Sequence, residues 1–458
     1  MASLTRICRS LASRTRLVET RIASNCLHIR FNSTTAPHTK IEKIILDHIK
    51  TTGPISFATY MQLCLSHPTD GYYMNPANKV FGSGGDFITS PEISQTFGEL
   101  IALWLLQEYE KAGKGHSLRL VELGPGKGTL MGDVLRIILK FKPEKHVDVH
   151  LVETSPAMRD LQKTHLESGT RPNVRLHWHN SIEEIPPSAS EYTMLLAHEF
   201  FDALPVHILQ RHKETGFWHE VLIDSQPADE LDSNESATSQ AESADTSIPE
   251  STTSLRRVLA SKPSNVGAVL GLSSPRFAQL PNGSFLEVSP SAFKIARKVG
   301  ELLAADDSQK ESPSLGGCGL IIDYGKDGAY EDSLRAFKRH EMVDIFREPG
   351  LCDITANVDF AFLKESMEDL VVTPHGPISQ GSFLVRMGLP MRLRTLLQAA
   401  KTEKRLHDIH GAAMRLVDPK GMGGQYKVLG ITSERRSDAD SSLREVWPYV
   451  KEPERVDK

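Results

Sequence analysis

Residues 121–130 read VELGPGKGTL, and the chemistry of the chain is best approached from there. Gly124, Gly126 and Gly128 alternate with other residues between an apolar run and a helix-forming stretch. A turn of this composition lets backbone come close to a ligand. A dinucleotide fingerprint would need its third glycine where Thr129 stands, and a P-loop would need Ser or Thr directly after Gly-Lys. Neither pattern is met. Glu122 lies two residues before the first glycine, where a carboxylate is awkward for a pyrophosphate and suits a cation. S-adenosylmethionine fits that requirement, since it carries an ammonium and a sulfonium and no phosphate. The alternative is a structural turn in a ligand-free α/β domain.

Further candidates follow at strand ends. Glu153 comes about thirty residues on, where an acid can accept hydrogen bonds from two ribose hydroxyls. HWHNS places Trp178 and Asn180 at the next strand end. Either could meet an adenine, Asn180 at its amine and Trp178 by stacking, though Trp178 reads equally as a core residue. HEFFDALPVH then brings His198, Glu199 and Asp202 to the end of a fourth strand. Asp353, Thr355 and Asp359 in DITANVDF are read as turn residues or a substrate rim, with no role assigned.

These residues need elements to position them. LRLVEL, VDVHLVE, NVRLHW and YTMLLAHE are strand-like, with helical GTLMGDVLRIILKF and SPAMRDLQKTHLE between them. Such alternation predicts an α/β fold, a Rossmann-like doubly wound sheet spanning residues 116–430. GSFLEVSP, a helix over AFKIARKVGELLA, and GCGLIIDYG are expected to continue that sheet. Residues 40–115 read as a helical region, with Ser90 as a cap and the Gly-rich stretch 81–92 as a candidate lid.

The first 32 residues differ in kind. Arg6, Arg9, Arg14, Arg16, Arg21 and Arg30 face one acid, Glu19, while Leu4, Ile7, Cys8, Leu11 and Val18 share a helical face. That is the pattern of a mitochondrial presequence. Residues 224–255 contain no Lys, Arg or aromatic residue, and are read as a disordered acidic insertion at a hairpin tip. Residues 431–458 are polar and read as a loosely held tail. A net charge of −5 gives no basic field for nucleic acid, and no apolar run approaches the roughly 20 residues of a membrane span. The five cysteines form no Cys-x-x-Cys pair, so neither a metal site nor a disulfide framework is expected.

Taken together, TGPISFATYMQ, GYY, GDFITSPEISQTFGEL, VELGPGKGTL, HEFFDALPVH, EVSP, DYG, DITANVDF and QGSFLVRMG resemble the MidA-like family. The resemblance runs from about Lys40 to Gly388, with a looser match at GGQYKVLGI. It implies a class I methyltransferase fold with S-adenosyl-L-methionine as cofactor. It further implies the mitochondrial matrix, and as substrate an arginine in a core subunit of respiratory complex I. Cofactor contacts are then expected at Glu122, Gly124, Gly126, Gly128, Glu153, Trp178 and Asn180. A guanidinium stays protonated and attacks poorly, so an arginine methyltransferase needs carboxylates that grip it and localise electron density on one nitrogen. Glu199 is the first choice for that grip and Asp202 the second. A methyltransferase for another acceptor, or a non-catalytic assembly chaperone with a retained pocket, are the alternatives.

Overall fold

The structure, a computed structural model, describes residues 38–78, 88–112, 116–167, 172–226, 253–306, 314–433 and 446–450. Its main sheet has seven principal strands: β1 (Ser117–Leu123), β2 (Val147–Val152), β3 (Val174–His179), β4 (Glu191–His198), β5 (Gly317–Lys326), β6 (Val372–Ser379) and β7 (Tyr426–Ser433). They lie in the order 6-7-5-4-1-2-3. β3, β2, β1, β4 and β5 are mutually parallel, and β7 enters antiparallel between β5 and β6. The strand order reverses between β1 and β4, which opens a crevice at their carboxyl ends.

Both sheet faces are covered, so the central strands are apolar almost throughout. On one face lie α3 (Gln95–Ala112), α4 (Thr129–Phe141) and α5 (Pro156–Glu167), with Phe97, Trp104, Val134 and Ile138 packed over Leu118, Leu120 and Leu196. On the other lies α6 (Pro290–Leu303), whose Ala296, Val299 and Leu303 meet Val121, Leu195 and Ile321. The alternation along β1 therefore sends Glu122 toward α3 and α4, and Val121 and Leu123 toward α6.

Beside this sheet stands a second, antiparallel one. Its strands are residues 55–56, 207–211, 218–225, 255–259 and 285–288. Phe285–Val288 belongs here, not to the main sheet as expected, because it pairs with His207–Gln210. The helices α1 (Lys40–Thr52) and α2 (Phe57–Ser66) pack on this sheet and on residues 334–356. The N-terminal region is thus divided: α1 and α2 support the second sheet, while α3 covers the first. Ser56 caps α2 by accepting from Thr59 N at 3.1 Å.

Three further expectations change. The stretch read as one helix from Ser90 is a short turn, Ser90–Ile93, broken at Ser94 before α3. Its N-cap is Thr89, since the Ser90 hydroxyl turns inward to Gln380 Oε1 at 3.3 Å. Residues 218–225 and 255–259 do form a hairpin, closed by Gln226 N donating to Ser254 O at 2.8 Å. The strands include Asp224, Ser225 and Leu255, and most of the insertion read over 224–255 lies outside the described residues, as does the presequence. The stretch 431–458 is not loose throughout. Ile431–Ser433 end β7, and Val446 and Tyr449 pack into the core, where Trp104 Nε1 donates to Trp447 O at 2.9 Å. Cys64, Cys318 and Cys352 are buried free thiols, and no helix among the described residues is long and apolar enough to cross a membrane.

Candidate active site

The crevice holds a cavity of about 440 Å³, continuous from the ends of β1–β3 to the ends of β4 and β5. Its floor is the Gly-rich turn. Gly124, Gly126 and Gly128 all have positive φ, at 62°, 53° and 80°. A Cβ at Gly124 would come within 2.8 Å of Phe200 Cδ2, so side chains are excluded there both by conformation and by space. Gly124 and Gly126 line the cavity, whereas Gly128 caps α4 beneath it and faces α5.

Glu153 lies at the end of β2 and lines the same cavity. Its carboxylate accepts from Ser155 N at 2.8 Å and Gln162 Nε2 at 3.2 Å, which opposes the upward push of burial on its pKa. Ile182 and Met158 give the neighbouring wall apolar surface. Asn180 lines the cavity, with its amide engaged by Arg159 at 2.8 Å and Glu184 at 3.3 Å. Trp178 corrects the expectation. It is not among the cavity-lining residues: its ring packs on the α4–α5 face and its Nε1 donates to Gln162 Oε1 at 2.9 Å. β3 is an edge strand with Val174, Leu176 and Trp178 half-buried on one face and Arg175 and His177 exposed on the other, so Trp178 belongs to the packed face and not to the cavity.

Glu122 lies apart from the main cavity, across the glycine turn, in a recess of about 50 Å³. Glu92, Lys127, His198 and Glu199 share that recess. Glu122 Oε2, Glu92 Oε2, His198 Nε2 and Glu199 Oε1 are buried there without a hydrogen-bond partner among the described residues. Burial pushes Glu122 up to about 8. Lys127 closes the recess by pairing with Glu92 at 3.1 Å. Buried acids of this kind are costly unless a cation joins them, so the recess fits an ammonium.

The other end of the cavity is acidic. Glu199, Asp202 and Asp353 line it, together with Tyr73, Tyr324 and Phe337. Glu199 takes a left-handed backbone conformation, φ 50°, at the turn that ends β4. Burial raises its carboxyl to about 8, reinforced by Asp202 and opposed by the Tyr426 hydroxyl. Asp202 is also raised, by burial first and then by Asp323 and Asp353. Tyr73 Oη donates to Asp353 Oδ1 at 2.7 Å, which ties the GYY turn to the DIT strand. His198 is held neutral, pushed by burial down to about 3, between the rings of Phe97 and Tyr426. Its Nε2 lies 3.5 Å from Glu199 Oε1.

The structure therefore brings Gly124, Gly126, Glu153, Asn180, Glu199 and Asp202 to one cavity, and Glu122 to the adjoining recess. Of the other residues here, Glu92 was expected from sequence only as a lid residue that could reach the pocket, Asp353 only as a turn or rim residue, and Tyr73 and Tyr324 were not singled out. All four lie in short motifs, GYY, SPE, DYG and DIT, whose only signal was polar or aromatic residues beside turns. The loop 81–92 is described only from Ile88, so the lid expectation falls mostly outside the described residues.

Comparison with known proteins agrees with this geometry. A family model described as "Putative S-adenosyl-L-methionine-dependent methyltransferase" matches residues 100–378. "Protein arginine methyltransferase NDUFAF7, mitochondrial" from Danio rerio is 37% identical over 419 residues, covering 86% of this chain and 88% of that protein. The homolog of that name from Drosophila melanogaster is 38% identical over 412 residues, covering 86% and 85%. A Burkholderia thailandensis protein crystallised with S-adenosyl-homocysteine shares the fold, with a TM-score of 0.65, 22% identity, and coverage of 86% of this chain and 91% of its own. With a match over most of the chain and a crevice of the corresponding kind, this protein belongs to the S-adenosyl-L-methionine-dependent methyltransferase family.

Proposed function

We propose that this protein is a mitochondrial protein-arginine N-methyltransferase that acts in the matrix on a core subunit of respiratory complex I and so assists assembly of that complex. The observation that carries the reading is the acidic end of the cavity. Glu199, Asp202 and Asp353 converge there, directly beyond the glycine turn that belongs to the cofactor. A guanidinium brings the positive charge that these buried carboxyls call for, and its planar nitrogens match paired carboxylate oxygens. The names of the relatives, which call them mitochondrial protein arginine methyltransferases, support the same choice of acceptor and compartment. The Arg-rich, acid-poor first 32 residues support it as well.

In this reading Glu122 and Glu92 take the cofactor's ammonium in the recess, and Glu153 takes the ribose hydroxyls. Asn180 stands at the adenine end, where Ile182 offers an apolar face. S-adenosyl-L-methionine, when bound, supplies a sulfonium methyl as electrophile and a thioether as leaving group. Methylation of a protonated guanidinium releases one proton overall. Glu199 accepts it, because burial holds its pKa high enough for a base working near neutral pH. Asp202 and Asp353 hold the remaining charge of the guanidinium against the cavity wall.

The test is methyl-arginine mapping of complex I core subunits from cells with and without the protein, paired with methyl transfer by the purified protein. A methyl-arginine that disappears with the gene and is restored in vitro is the expected result. Assembly rescued equally by a Glu199→Gln variant that no longer transfers methyl groups would favour the non-catalytic chaperone instead.

A further inference from the structure

We infer that Asp323 is a positioning residue for methyl transfer, holding Glu199 in the left-handed turn from which it meets the acceptor; this rests on the assignment of Glu199 proposed above. Asp323 lies on β5, one strand away from β4, and is fully buried. In the sheet register Ile322 stands beside His198, and Glu199 N donates to Ile322 O at 3.0 Å. The last ladder bond thus brings Asp323 directly under the turn. Its Oδ2 accepts from three successive backbone N–H groups, Phe200 at 3.1 Å, Phe201 at 2.9 Å and Asp202 at 3.3 Å. Its Oδ1 accepts from its own neighbour, Tyr324 N, at 2.9 Å.

Successive N–H groups converging on one oxygen form a concavity that suits an anion. Here the anion is a side chain of the protein itself. Glu199 is not a glycine, yet it holds φ 50°, which a non-glycine residue keeps only when its surroundings over-determine it. The three N–H bonds follow Glu199 immediately and leave the turn no other direction. They also fix Asp202, whose carbonyl accepts from Ala356 N at 2.9 Å and so links the turn to the strand carrying Asp353 and Thr355. One buried carboxylate thereby sets the relative places of the acids at the acceptor end. Asp323 itself does not line the cavity, so its influence passes through the turn.

Asp323→Asn keeps the shape, removes the charge, and sets an NH2 against Tyr324 N. Single-turnover transfer at saturating cofactor is expected to fall by roughly 10- to 100-fold, the scale of a misplaced reacting group. Cofactor affinity, read by calorimetry, should stay within about threefold, since the residues assigned to the cofactor, Glu92, Glu122, Glu153 and Asn180, lie outside the turn that Asp323 holds. In a Glu199→Gln background the same Asp323→Asn change should add little, because two residues acting as one unit are non-additive. A purely structural role would instead lower both backgrounds alike. A second cycle uses stability. Glu199→Gly adopts the left-handed conformation without strain, so the fall in melting temperature on Asp323→Asn should be smaller in that background. This cycle decides the matter even if Asp323→Asn is poorly folded alone. Equal falls in both backgrounds, or failure to fold in both, would overturn the inference, as would wild-type transfer by Asp323→Asn while Glu199→Gln is impaired. If Glu199→Gln itself transfers at the wild-type rate, it is the assignment of Glu199 that fails.

Discussion

In the reading proposed above, Glu199 carries the heaviest demand of any side chain in the crevice, because it must be buried, aimed and chargeable together. Glu199→Gln keeps its volume and removes its charge. Transfer in single turnovers is expected to drop by roughly 100-fold, about 2.7 kcal/mol of transition-state stabilisation, with cofactor affinity almost unmoved. A wild-type rate would send the search to Asp202 and Asp353. The pH dependence has a definite sign. With its carboxyl raised to about 8, Glu199 is mostly protonated at pH 7 before substrate arrives, so transfer should rise with pH and level off above about 8. Glu122 is raised to a similar value, so the profile must be measured at saturating cofactor, where ammonium binding no longer limits. Loss of the rising limb in Glu199→Gln assigns it to that residue; its persistence assigns it elsewhere. Gly124→Val tests the floor of the crevice. Its φ of 62° and the Phe200 ring 2.8 Å from a would-be Cβ leave no room for a branched side chain. Calorimetry on the folded variant should detect no S-adenosyl-L-methionine binding, and unchanged affinity would remove the turn from the cofactor site.

Among the elements, the hairpin at residues 218–225 and 255–259 makes the clearest prediction. Its ladder already closes at Gln226 and Ser254, and the intervening residues carry no basic or aromatic side chain to dock with. Replacing residues 227–252 by a two-residue turn should leave the melting temperature within a few degrees and cofactor affinity unchanged. A large drop in a thermal melt would mean that the segment packs on the body. The parallel strands were legible because strand and helix periods alternate at short spacing, and the glycine turn because its acid and glycines keep a fixed order. Glu199 and Asp202 were legible as polar residues at the end of an apolar strand. Tyr73 was not, and Asp353 was legible only as a turn or rim residue, since 280 positions separate two residues that share a hydrogen bond. Trp178 was ambiguous because an aromatic residue near a strand end serves equally as packing or as a stacking surface, and Ser90 because a hydroxyl before Pro91 serves equally as a cap or as a partner for Gln380.

At the scale of the whole molecule, the C-terminal residues belong to the core. Val446 is buried in it, Tyr449 packs half-buried against it, and Arg386 Nη1 donates to Pro448 O at 2.7 Å and Val450 O at 3.0 Å. Removing residues 446–458 uncovers Trp104 and takes away these two acceptors of Arg386. A loss of about 3 kcal/mol or more is expected from the apolar burial of two side chains, visible as a lower midpoint in denaturant. An unchanged midpoint would show that the contact is incidental. The place of β7 matters more still. Tyr426, its first residue, packs its ring tilted at 36° against Tyr324, with centroids 4.0 Å apart, and stands beside His198 and Glu199. β7, the last strand among the described residues, is therefore an interior strand, slotted between β5 and β6 after both have been synthesised. On the reading proposed for Glu199, a chain that has not yet delivered Tyr426 lacks one wall of the acceptor end. A premature stop anywhere before Tyr426 would leave an exposed strand edge and an unfinished catalytic wall. Such an allele should behave as a full loss of function, however much of the methyl-donor crevice it still encodes.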